Sequence, residues 1–170
     1  FDLNRIMPKL NSFIKSSRKR VKSSVIKILK QYDLVQTVRT IELFLKQPDQ
    51  VALAMEWMFL VDFSLVRTVL FNFLSKTKSA EHFEIGLDLF RINPDIENLY
   101  CLAFLQKVAE EPFRNSVAEV YAANVAFLKE MKILDESRLK ELEKENLARY
   151  EEELKRRTKP APAYSVRVIH

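Results

Sequence analysis

Apolar residues recur along this chain at helical spacing. Ile6, Leu10, Phe13 and Ile14 fall at i, i+4, i+7 and i+8, and Val21, Val25, Ile28, Leu29 and Tyr32 repeat the pattern. Continued between short polar breaks, it predicts helices near 21–31, 34–46, 49–61, 64–76, 80–91, 95–108, 113–131 and 136–157. Connections this short join antiparallel neighbours. The expected fold class is all-α: stacked antiparallel helical hairpins in an α-solenoid-like array, with a long charged C-terminal helix and an extended tail. The expected divisions are a basic amphipathic arm at 1–32, a repeat-like core at 33–134, a charged helix at 135–157 and the tail at 158–170.

Proline sharpens the boundaries. Pro48, Pro94 and Pro112 are read as helix starts, because proline at the first helical position forfeits no hydrogen bond. Asn93 is then the expected cap before Pro94. Asp49 and Asp95 place negative charge at the positive end of a helix dipole. Asp135 caps the last helix.

Two of these starts share a longer pattern. Ile41-Glu42-Leu43-Phe44-Leu45-Lys46-Gln47-Pro48-Asp49 aligns with Leu87-Asp88-Leu89-Phe90-Arg91-Ile92-Asn93-Pro94-Asp95, offset by 46 residues. Leu and Phe close the buried face of one helix, and Pro-Asp opens the next. The stretch from Leu87 through Pro94-Asp95 to Leu99-Tyr100-Cys101-Leu102 resembles the junction between pentatricopeptide repeats, where an acid-Leu-Phe segment ends one helix. The resemblance implies helical-hairpin repeats. The chain departs from the family in a shorter turn after Phe90 and in an offset longer than the family's repeat of roughly 35 residues. The tetratricopeptide Trp-Leu-Gly-Tyr pattern is absent, and the one-base-per-repeat RNA code does not carry over.

Composition narrows the chemistry. Gly86 is the only glycine, where about twelve are usual in this length. That argues against hairpin-rich sheets and against glycine-rich phosphate loops. Cys101 is the only cysteine and lies in an apolar stretch, so it reads as a core residue in a reducing compartment. His82 and His170 are far apart, and with one cysteine they make no zinc site. No catalytic, cofactor-binding or metal-binding residue is assigned, and an enzyme is not expected. The most apolar stretch, Val51 to Val61, contains Glu56 and is too short to span a membrane.

Charge divides the chain. Residues 1–30 carry nine basic groups against Asp2, while the remainder is mildly acidic. Lys15, Arg18, Lys19, Arg20, Lys22 and Lys27 are the candidate polyanion-binding residues, expected to face outward opposite the apolar stripe. RNA, DNA, an acidic protein or an anionic membrane surface would suit such an arm. Lys19-Arg20-Val21-Lys22 also resembles a short nuclear-import signal. On the charged C-terminal helix, Leu139, Leu142, Tyr150 and Leu154 form a thin stripe. With Tyr164 in the tail they are the candidate partner contacts. The helix is expected to project or to lie over the array. Together these features lead to a non-catalytic scaffold subunit of a larger assembly, such as the ribonucleoprotein of an organellar ribosome. A protein-only adaptor and a peripheral membrane protein are the alternatives. The expected partners are other subunits and RNA, without a small-molecule substrate, in the mitochondrial matrix or nucleus rather than outside the cell.

Overall fold

A computed structural model describes residues 13, 14 and 18–158. The described chain is all-α: α1 (Lys19–Tyr32), α2 (Leu34–Leu45), α3 (Val51–Met58), α4 (Phe63–Leu74), α5 (Ala80–Ile92), α6 (Ile96–Val108), α7 (Glu111–Glu130) and α8 (Glu136–Thr158). Residues 159–170, with the expected tail, lie outside the described residues.

Aspartate sets the starts of the even-numbered helices. The side chains of Asp33, Asp62, Asp95 and Asp135 accept from the backbone N–H of Gln36, Ser64, Glu97 and Arg138. Each such cap satisfies an N–H that has no partner within the helix. Two proline expectations need correction. Asp95, not Asn93, caps α6; the Asn93 amide instead donates to Leu89 O and closes α5. Pro48 precedes α3 in a turn in which Gln50 N–H donates to Gln47 O, which delays the helix to Val51. Pro112 lies in the first turn of α7, where its missing N–H costs nothing.

The helices form two rows. α1, α3, α5 and α7 contact one another in that order, as do α2, α4, α6 and α8. The hairpins α2–α3, α4–α5 and α6–α7 join the rows, with α1 packed on α2. The two copies of the Leu-Phe…Pro-Asp pattern fall at the α2–α3 and α5–α6 junctions. Three helices separate them, so they stand at opposite edges of the rows and are not equivalent.

The main core lies between the rows. Trp57 packs on Phe44 with ring centroids 4.9 Å apart, Phe63 meets Phe90 edge-on at 5.1 Å, and Phe83 stacks on Phe113 at 4.5 Å. Gly86 lets α5 approach Leu70 and Leu74 of α4. A second cluster of Leu99, Leu128, Leu134 and Leu142 fixes the start of α8. Between the clusters, the Asn124 amide donates to Phe90 O and Val120 O, and the Asn98 amide donates to Asn93 O and Asn124 Oδ1. These buried bonds tie α5, α6 and α7 in one register.

Candidate interaction surfaces

The basic arm is less free than its sequence suggests. Lys15 lies outside the described residues. Lys22 is buried: its Nζ donates to Gln50 Oε1 at 2.6 Å and sits 5.1 Å from the centre of the Phe44 ring. Lys19 pairs with Glu56, and Lys30 donates to Leu60 O. The expectation that the α1 cations all face outward is therefore corrected. The buried face of α1 is Lys22, Val25, Ile26 and Leu29, with Ile28 exposed. The aliphatic stem of Lys22 allows this, since a long side chain can cover apolar surface while its charge finds a partner. Arg20, Ser24, Lys27 and Gln31 form the outer row, and Arg18 is exposed just before it. Arg20 and Lys27 have no ion pair among the described residues.

A second surface follows from the rows. The junctions α1–α2, α3–α4, α5–α6 and α7–α8 line up along one edge. Lys30 Nζ to Leu60 O (2.7 Å) bridges the first and second, and the Arg67–Asp95 pair (2.9 Å) bridges the second and third. The Asn124–Phe90 bond sets the second half of α7 beside the end of α5. Exposed large hydrophobic residues gather there. Ile28, Leu34 and Val35 flank the first junction, and Phe59 and Leu65 the second. Ile92 stands at the third, and Phe127, Met131 and Ile133 at the fourth. Toward the opposite edge, among the described residues, lie Phe13, Leu43, Val108 and Leu154.

The same edge holds acids outside any ion pair among the described residues. Asp33, Asp62, Glu97, Glu130 and Asp135 have no ion pair among the described residues, whereas Arg67 and Lys129 are paired with Asp95 and Glu136. The Ser64 hydroxyl and then the Ser64 N–H hold the Asp62 carboxyl below its ordinary range. Its capping contribution is thus present at neutral pH and is lost as pH falls through that lowered value. Sequence reading missed this edge. Its signal was an aspartate set between apolar residues, as in Asp33-Leu34-Val35 or Ile133-Leu134-Asp135.

The C-terminal helix packs against α6. Leu142 is buried and Leu139 packs beside it. Tyr150 meets Phe104 at 5.2 Å, under Lys107 Nζ at 4.4 Å. These three expected partner contacts make contacts within the chain, Leu154 is 37% exposed, and Tyr164 lies outside the described residues. Beyond them, an open groove of about 830 Å³ runs between α2, α4 and the end of α8, lined in part by Lys46, Phe73, Lys76 and Arg156.

Burial pushes the Cys101 thiol up to about 12, so it stays neutral at physiological pH. We expect thiol reagents at neutral pH to label Cys101 only when the core opens, at a rate that rises with denaturant in step with unfolding. Rapid labelling of the native protein would contradict its burial. Among the described residues, no group of three His, Cys, Asp or Glu is placed to hold a metal, and no helix is long and apolar enough to cross a membrane. No family model, curated protein or solved structure matches the chain.

Proposed function

We propose that this chain is a non-catalytic scaffold subunit of a larger macromolecular assembly, built as an α-solenoid-like array. The observation that carries the reading is the two-row contact pattern. Each row joins helices two apart in sequence, which leaves long outer faces and edges for partners. The polar outer face of α1 serves as an end cap of the array and as its polyanion contact. Arg20 and Lys27 are the residues of choice there, with Arg18 beside them. A ribonucleoprotein such as an organellar ribosome is an assembly that suits such a face.

The test is RNA affinity as a function of salt. Each phosphate contact to single-stranded RNA contributes about 0.7 to the slope of log K against log salt. An Arg20→Ala/Lys27→Ala variant is expected to lower the slope by about 1–2 units. Lys22→Ala is expected to leave the slope unchanged and to lower stability instead, because its ammonium is bound within the fold. Absence of RNA binding, or an unchanged slope in the double variant, would exclude the RNA contact. The second reading, a protein-only adaptor, is favoured by the apolar edge.

A further inference from the structure

The apolar edge carries carboxylates with unused acceptor oxygens. Asp33, Asp62 and Asp135 each cap a helix through Oδ1, and Oδ2 takes no hydrogen bond among the described residues. Glu97 and Glu130 add two exposed carboxylates outside any ion pair among those residues. The cations of the same junctions are largely matched within the chain. Arg67 pairs with Asp95, Arg91 with Asp88 and Lys129 with Glu136, and Lys30 donates to Leu60 O. Lys132 is exposed and has no ion pair among the described residues. Between the second and third junctions the surface opens into a cleft of about 400 Å³, lined in part by Asp62, Ser64, Arg67, Asn93 and Asp95. Arg67 is largely buried there and its charge is matched by Asp95, so the uncompensated charge at these two junctions is that of Asp62 and Glu97. Leu65 and Ile92 are exposed at the same two junctions. We propose that this edge docks a basic amphipathic helix of a partner protein, its apolar face on Leu65 and Ile92 and its lysines or arginines on Asp62 and Glu97.

Charge selects the partner. Carboxylates repel RNA phosphates and anionic lipid headgroups, so this edge differs in kind from the outer row of α1. Two copies set edge to edge would oppose acid to acid. A helix with basic residues beside an apolar stripe supplies both complements: the apolar contact gives affinity, and the charges steer encounter and fix orientation. Size agrees. Packed helices lie about 8–10 Å apart, so four junctions in line extend over roughly 24–30 Å. A helix of about 18 residues is about 27 Å long. This partner belongs to the adaptor reading and rests on it.

The test is fluorescence anisotropy of a labelled peptide of about 18 residues, with leucine on one helical face and lysine on the other, titrated with the full chain. Saturable binding is expected. A counterpart with glutamate in place of lysine is expected to bind at least about tenfold more weakly, a comparison that needs no substitution in the protein. Leu65→Ser/Ile92→Ser is expected to weaken the lysine peptide at least about tenfold. Asp62→Asn/Glu97→Gln, in which asparagine can still cap α4, is expected to weaken it about three- to tenfold at about 0.05 M salt and hardly at all at about 0.5 M. Leu43→Ser/Val108→Ser, toward the opposite edge, and Arg20→Ala/Lys27→Ala, on α1, are expected to bind as the wild type does, which separates this site from the RNA contact. No saturable binding, equal binding of the two peptides, or edge variants that bind like the wild type would each overturn the proposal. So would tighter binding by Ile6→Asp/Leu10→Asp, which would assign the edge to the chain's own N-terminal segment, or self-association abolished by Leu65→Ser/Ile92→Ser, which would assign it to a second copy. If the peptide fails while the native chain still sediments with a heavier particle, this partner is wrong and the scaffold reading stands. A native chain that sediments alone contradicts the scaffold reading, whatever the peptide does.

Discussion

Trp57→Ala is expected to cost about 3–5 kcal/mol, the usual range for truncating a fully buried large aromatic residue. Trp57 is 1% exposed and packs at a tilt against Phe44 of α2, and its indole N–H points to Ser23 Oγ of α1. Three helices meet on this one side chain, so its loss leaves a cavity that none of them can close alone. Urea unfolding followed by circular dichroism is the measurement, because the chain has no other tryptophan for fluorescence. Phe59→Ala, only two residues away but 46% exposed, is expected to cost under about 1 kcal/mol. Equal losses at the two positions would mean that α3 is not seated as described.

The second large effect is at Gly86. A Cβ there would lie 2.7 Å from Leu74 Cδ2 and 3.2 Å from Leu70 Cδ1. Both are ends of flexible side chains, so alanine needs only a small shift. Alanine also gains about 1 kcal/mol of helix propensity over glycine. The two effects nearly cancel, and Gly86→Ala is expected to be close to neutral. Gly86→Leu cannot be accommodated so cheaply and is expected to cost about 3 kcal/mol by overpacking. For a chain of this size that corresponds to a fall in Tm of roughly 6–12 °C. A thermal melt that ranks leucine with alanine would contradict the close approach of α4 and α5.

Among the described residues, the helix count and most boundaries to within two or three residues were legible in the sequence because apolar periodicity and polar breaks are local signals. Asp135 was legible as a cap for the same reason. Asp33 and Asp62 were overlooked, since their roles show only when the next helix start is placed to the residue. Pro48 and Pro94 misled because proline is compatible with a turn before a helix as well as with its first position. The repeated Leu-Phe…Pro-Asp pattern records a common way to end one helix and begin another, and it carries no information about which edge the junction occupies.

The surfaces were harder to read. A count of charge cannot tell Lys22, held over Phe44 and bonded to Gln50, from Lys27, which faces solvent. Both lie on the same helix five residues apart, and only the neighbouring α2 and α3 separate their fates. Tyr150 was read as a partner contact because it belongs to the thin apolar stripe of a charged helix, and within the chain Phe104 of α6 meets it. The apolar edge was invisible for a related reason. Its members are scattered from Ile28 to Ile133 and become neighbours only when the rows align the four junctions.

The scaffold reading is tested most directly by sedimentation of the native protein through a gradient after gentle lysis, with and without nuclease. The expected result is migration with a particle far heavier than the 20.0 kDa chain, and release from it when RNA is degraded. A chain that migrates alone at its own mass under both conditions would contradict membership in a larger assembly.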